Sequence, residues 1–283
     1  MKKYISPGSW FSFEYPESWH EFEDEAGSFL FYNPDVWSGN FRISASLDAS
    51  PDFAAETMQD ELEQYTDATL VKFGGREYVY SRETFEEGGS WYTSHFWVTG
   101  AANMALYCTF TVAKDQPITD VNNVLASLKL YNPMQPACRE VVGVRLMEVA
   151  AINEAFDWAS KSVKKRLKKD FSAKTADSIT YLDQLIDEDG SKHQRDTQTR
   201  VGLVLGCFLI DEVEGVEWVT LVDGKTEVPA LYYSRGGGKF SPMSLKQAGN
   251  SVVEPVKVVA KLWAEDDTRT LAQLYEELLG RLL

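Results

Sequence analysis

Three histidines, three cysteines and two charged glycine-containing loops are the features of this 283-residue chain whose types could carry chemistry. His20, His95 and His193 fall in three separate predicted elements, whereas a catalytic triad or a metal site needs its donors to converge. Cys108, Cys138 and Cys207 are odd in number, far apart and without a CxxC spacing, which fits reduced thiols and argues against a disulfide framework or a structural zinc site. Cys207 lies within an apolar helical run beside Gly206, with no local base and no electropositive helix start to activate it, so its expected role is structural. A hydrolase built on Cys207 or His95 would further need an orienting carboxylate and an oxyanion loop, and neither is legible.

The two loops fail their motifs at defined positions. Asp187-Glu188-Asp189-Gly190, followed by His193, suggests a calcium loop, but with Gly190 as the sixth position Leu185 would stand at the first ligand. It reads as a solvated turn. Arg235-Gly236-Gly237-Gly238-Lys239 suggests a phosphate cradle, yet a P-loop needs glycine where Tyr233 stands and serine or threonine where Phe240 stands. That segment reads as a hairpin tip that would offer backbone N–H groups to a partner. No catalytic residue, metal site or cofactor is expected.

The elements that must position these groups fall into two unlike halves, joined near Pro133–Pro136. Of 36 aromatic residues 25 precede Pro133, and the same stretch holds 8 Lys and Arg against 20 Asp and Glu, which is −12 of the net −15. Such a charge disfavours nucleic acid and anionic membrane surfaces and favours basic partners. The opening MKKYISPGSW is not followed by an apolar run, so neither a secretory signal nor membrane insertion is expected and the cytoplasm is the expected compartment. With 44% apolar residues the chain can build two cores. The expected division is 1–132, a sheet domain, and 137–283, a mainly helical α+β domain with a small β-hairpin.

In the first half, Phe11, Phe13 and Tyr15 alternate with Ser12 and Glu14 before Pro16, predicting a strand, and Trp19 is expected to plug the core. Strands are predicted at His20–Glu23, Ser28–Asn33 and Asn40–Leu47. Ser50 and Pro51 then predict the start of a helix with Met58, Leu62 and Tyr65 on one face. Four further runs, Ala68–Phe73, Arg76–Phe85, Ser90–Thr99 and Met104–Val112, are separated by Gly74-Gly75, Gly88-Gly89 and Gly100–Asn103, as in an antiparallel meander. Met104, Leu106, Cys108, Phe110 and Val112 share one parity, which places Cys108 in the core. Asp115 is the expected cap of a closing helix carrying Ile118, Val121, Leu125 and Leu128. The opening FSFEYPESW, the single mid-domain helix, the Gly-spaced meander and the closing helix before LKLYNP resemble the PsbP-like sandwich, an α-β-α fold with an antiparallel sheet shared with DcrB-like proteins. That resemblance implies a non-catalytic binder, and in some bacterial cases a chaperone for secreted toxins.

In the second half, helical periodicity is read from Glu140 to Phe171, with Leu146, Ala150, Phe156 and Val163 inward and a basic tail from Lys161 to Lys169. The tail reads as a solvated helix face or as a surface attracted to the acidic first half. Further helices are predicted at Thr175–Ile186, Thr197–Asp211 and Leu271–Leu283, and strands at Val216–Leu221 and Val228–Tyr233 joined by Asp223-Gly224. The succession ITYLDQLID, TRVGLVLGCFLIDEVEGVEWVTLVD and PALYYSRGGGKFSPMSL resembles an uncharacterised bacterial domain family. Phe240-Ser241-Pro242-Met243 departs from that family by one inserted residue.

The aromatic load of the first half is the strongest functional clue, because aromatic side chains are enriched at interfaces. In SWYTSHFW, Trp91, His95 and Trp97 share one strand face and Tyr92 and Phe96 the other. The expected partner groove comprises Trp37, Trp91, His95 and Trp97 with Glu83, Glu86 and Glu87, and its expected occupant is a basic or apolar protein segment. The expected function is a non-catalytic bacterial protein-binding module, such as an immunity protein or effector chaperone. Its rival is a small-molecule or lipid binder with an apolar pocket between sheet and helix or between domains.

Overall fold

Two-residue alternation in the aromatic strands sets the architecture of the first half. The computed structural model describes residues 1–23, 28–131, 139–174, 177–223, 226–234, 240–264 and 269–282, and the chain divides into Met1–Ala137 and Cys138–Leu283. The expected join at Pro133–Pro136, Cys138, and the Arg235–Lys239 tip lie outside the described residues. The first unit runs β1 (Lys2–Ile5), β2 (Phe11–Tyr15), β3 (His20–Glu23), β4 (Phe29–Tyr32), β5 (Asn40–Leu47), α1 (Phe53–Gln64), β6 (Thr69–Phe73), β7 (Arg76–Glu87), β8 (Ser90–Ala101), β9 (Met104–Ala113), α2 (Thr119–Ser127) and β10 (Lys129–Leu130). A large antiparallel sheet of seven strands has the order β3-β4-β5-β9-β8-β7-β6, and a small sheet has the order β1-β2-β10.

The small sheet departs from the expected eight-strand plan. Alternation marks Phe11–Tyr15 as a strand without naming its neighbours, and these are β1 and β10, too short to carry a period of their own. The hairpins follow their glycines: Gly74, Gly75, Gly88 and Gly89 all have positive φ, the backbone that two-residue turns of matching twist require. Two helix starts differ from the expected caps. Helix α1 starts at Phe53, and the Ser50 hydroxyl accepts from the Asp52 N–H outside it at 3.3 Å. Asp115 lies in a left-handed turn (φ 67°) after β9, while α2 begins beyond Pro117, because a residue before proline is driven out of the helical region.

One face of the large sheet is sealed. Phe31, Phe41, Cys108 and Phe110 meet Phe11 and Phe13 of the small sheet and Val121 and Leu125 of α2 in a single core. The Phe13 ring lies 5.1 Å from Phe31 and 5.8 Å from Phe41, edge to face, and Trp19 stacks on Phe110 at 6.2 Å. The opposite face receives α1 at one end only, where Ala54 sits so close to Gly100 that a Cβ on the glycine would stand 2.7 Å from it.

The second unit runs β11 (Arg139–Gly143), α3 (Leu146–Leu167), α4 (Asp177–Asp189), α5 (Arg195–Glu212), β12 (Val216–Asp223), β13 (Thr226–Tyr233), β14 (Met243–Ser244), α6 (Leu245–Ala248), β15 (Val252–Val253), α7 (Pro255–Ala264) and α8 (Leu271–Leu282). Residues 140–143, read as helix in the sequence, form β11, pairing Val141 with Leu221 and Val142 with Thr220. Two adjacent β-branched residues before Gly143 favour the pleated surface. The buried face of α3 is accordingly Ile152, Ala155, Ala159 and Val163, and Ala150 is exposed. The predicted hairpin is the middle of a third sheet, β14-β11-β12-β13-β15, whose outermost strands have two residues each; the turn between β12 and β13 lies outside the described residues.

Helix α5 is buried almost all round, as a central helix must be when its apolar residues form no single stripe. Its Gly202 and Gly206 permit two close approaches. A Cβ at Gly202 would stand 2.4 Å from the Val256 Cα of α7, and one at Gly206 would stand 2.2 Å from the Trp218 ring. Backbone cannot yield as a side chain can, so Gly202→Ala is expected to destabilise the fold by about 1–3 kcal/mol. A lowered urea midpoint with an unchanged slope would record it, and an unchanged midpoint would refute the close crossing.

Candidate functional site

The register of β7 with β8 decides which of the expected groove residues can meet. It pairs Glu86 with Trp91, Glu87 with Ser90 and Phe85 with Tyr92 at the outer end of the hairpin, with Glu83 opposite Ser94 further in. Trp37, from the segment between β4 and β5, sets its ring edge-on to Tyr92 at 5.8 Å, and Phe85 stacks on Tyr92 at 5.8 Å. Trp37 remains 47% and Trp91 51% exposed, and the Lys114 ammonium lies 5.5 Å from the Trp91 ring centre. Trp91 and Glu86 therefore share one face of the hairpin end, while Tyr92, Phe85 and Glu87, with Trp37 packed on Tyr92 and Glu83 further in, belong to the other.

His95 and Trp97 do not join them. Parity puts both on the sealed face, where Trp97 is 1% and His95 7% exposed. Trp91 has the same parity but lies six residues along, where the cover has ended. The Tyr80 hydroxyl is 2.8 Å from His95 Nδ1, and the His95, Tyr80 and Trp97 rings cluster with centroids 5.5–5.9 Å apart. Burial, and then the Arg82 guanidinium, holds His95 below its ordinary range. It is a neutral core aromatic, and neither His95 nor Trp97 lines the expected groove, because both are buried.

The other face of β7, β8 and β9 is half-covered. Between it and the C-terminal half of α1 lies a cleft of about 420 Å³. Glu61, Tyr65 and Asp67 form one wall; Ser81, Glu83, Phe96 and Tyr107 form the sheet side. Arg82, Trp97 and Cys108 also border it, but strand parity sends their side chains to the sealed face, so they contribute backbone. Burial, and then Asp60, raises Glu61 above the usual carboxylate range. The sequence signal for this cleft was the second parity, Phe96 on β8 and Tyr107 on β9. What the pattern could not supply was α1, which stops short and leaves those residues at the edge of a hollow.

The remaining chemical candidates resolve into structure. Cys108 is buried in the core, its thiol pushed far up by desolvation, and burial pushes Cys207 up to about 11. His20 stands on β3 and His193 between α4 and α5. The acidic end of α4 meets cations of its own unit: Asp187 pairs with Lys192, and Asp189 with Arg166 of the basic tail. Lys164 of that tail pairs with Asp170 at 2.7 Å. Among the described residues no three His, Cys, Asp or Glu side chains are grouped to hold a metal ion, and no helix is long and apolar enough to cross a membrane.

Residues 1–153 match the family described as domain of unknown function DUF3805, and residues 178–275 match domain of unknown function DUF3806. No curated protein matches the chain. A crystal structure at 1.50 Å of a protein from Bacteroides thetaiotaomicron VPI-5482 is 38% identical, covering 99% of this chain and 98% of that one with a TM-score of 0.83. LpqN of Mycobacterium tuberculosis, described as involved in cell envelope biogenesis, is 15% identical over 43% of this chain and 83% of its own, with a TM-score of 0.30, too low to bear on fold or function.

The state of His95 has a measurable consequence. With a folded pKa below the unfolded one, the unfolded chain takes up a proton first, so the stability held by neutral His95 is complete above about pH 7 and lost as pH falls through the folded value. The wild-type urea midpoint is expected to fall between about pH 7.5 and about pH 5 by more than that of His95→Gln, which keeps a polar partner for Tyr80. Equal slopes for the two proteins would show His95 to be accessible.

Proposed function

The chain belongs to the DUF3805 family, a domain of unknown function, and from its own surface chemistry we propose that it is a non-catalytic protein-binding module whose first unit docks a basic or apolar segment of a partner. The observation that carries this reading is the hairpin end, where half-exposed Trp91 stands opposite Glu86 on one face and half-exposed Trp37 packs on Tyr92 on the other, the face whose parity Glu83 and Glu87 share. Aromatic anchors ringed by charge are the composition of recognition surfaces. Carboxylates around them steer a basic segment in and impose a salt dependence. A PsbP-like kinship of the first unit, and with it work in the cytoplasm as an immunity protein or effector chaperone, is the finer form of the proposal. A second reading, a small-molecule or lipid binder, is supported by the α1 cleft, whose 420 Å³ falls in the range of roughly 300–1,000 Å³ typical of ligand sites.

Affinity capture from the source cells at two salt concentrations tests the main reading. Wild-type chain is expected to retain a partner at low salt and release it as salt rises. Trp37→Ala with Trp91→Ala, or Glu83, Glu86 and Glu87 changed together to Lys, should lose that partner at least tenfold with the melting temperature preserved, since the altered side chains are at the surface. A partner retained equally by all three proteins would remove the hairpin end as its site.

A further inference from the structure

We propose that the cleft beside α1 binds a small organic cation, an ammonium or guanidinium group carried on an apolar body. The inference deepens the small-molecule reading above and rests on it. The charged side chains that line the cleft are carboxylates, Glu61 from α1 and Glu83 from β7, with Asp67, from the segment between α1 and β6, at a rim where it also acts on Tyr80. Arg82, the one basic residue at its border, directs its side chain to the opposite face, where it acts on His95 and Tyr80. Among the described residues no cation pairs with Glu61, Asp67 or Glu83, although the same chain pairs most of the acidic end of α4. The side chains lining the cleft thus carry net negative charge in a unit that is itself strongly acidic, with Arg42 opposite Thr109 on the same face, and an anion entering it would meet net repulsion.

The walls add a second preference. Tyr65, Phe96 and Tyr107 bring aromatic rings to the same hollow, and a ring face attracts a weakly hydrated cation while giving an apolar body surface to cover. Ser81 and Thr109 supply hydroxyls that can accept from an ammonium or guanidinium N–H. A metal ion would make no use of the rings, and a lipid tail would leave the carboxylates desolvated without a partner. A cation on an apolar body satisfies both sets of groups. Burial already raises Glu61, which is the response of a carboxylate that lacks a counter-charge.

Calorimetric titration of the full chain with benzyltrimethylammonium, benzyl alcohol, benzenesulfonate and a tri-arginine peptide tests the inference. Benzyltrimethylammonium is expected to bind at least tenfold more tightly than benzyl alcohol, with no heat from benzenesulfonate. Glu83→Gln and Tyr65→Ala should each weaken it about three- to tenfold without moving the melting temperature, and Glu86→Gln, at the hairpin end, should leave it unchanged. If benzyl alcohol equals the cation, the cation class falls and the ligand cleft stands. Silence from all four probes removes the cleft reading as well. Binding of tri-arginine without benzyltrimethylammonium would make the cleft a subsite for a partner's side chain and overturn the small-molecule proposal, as would titrations that neither Glu83→Gln nor Tyr65→Ala alters.

Discussion

The aromatic contact between the small sheet and the large one is the constraint on which the first unit depends. Phe31, Phe41, Phe110 and Trp97 crowd one face of the large sheet, and exposing any one of them would cost about 1.5–3 kcal/mol. Phe11, Phe13 and Tyr4 from β1 and β2, with α2, cover them. That cover leaves α1 alone for the opposite face, and α1 buries only Ala54 and Thr57 fully. A twelve-residue helix cannot span strands of comparable length beside one another. The half-open face, its cleft and the exposed hairpin end all follow from which side the aromatic residues claim.

The second unit is organised around a helix instead. Helix α5 threads the core, and its glycines set how near α7 and Trp218 can come. A polar network fastens α3 to the sheet: Glu148 accepts from the Arg145 backbone N–H and the Thr220 hydroxyl, and Arg145 meets Glu227 at 2.7 Å in a largely desolvated setting. Breaking such a pair by removing one partner leaves an uncompensated charge, which costs far more than losing an exposed ion pair. The pairs of the basic tail, by contrast, are exposed and screened by solvent, so they contribute little.

Elements with a long, clean period were legible in the sequence. Asn40–Leu47 and Met104–Ala113 show one parity inward and one half-wet, and both are strands with the expected boundaries to within a residue. Trp19 and Cys108 are in the core as their positions implied. Short elements were not legible: β1, β10, β14 and β15 have two to four residues, fewer than a period needs. Glu140–Gly143 was absorbed into the helix that follows it. The site was half legible for a related reason. Parity separates Trp97 and His95 from Phe96 and Tyr92 but does not say which set faces the cover, and that depends on β2 and α2, distant in sequence.

The two-residue edge strands of the third sheet carry a consequence for behaviour in concentrated solution. A long, exposed edge is a template on which another chain can add a strand, and β14 and β15 offer too little length for a foreign segment to find a register. Pro229, with no N–H to donate, occupies the part of β13 that β15 does not reach. On the β13 side it is therefore this proline, rather than the brevity of β15 alone, that interrupts the row of donors a foreign strand would need.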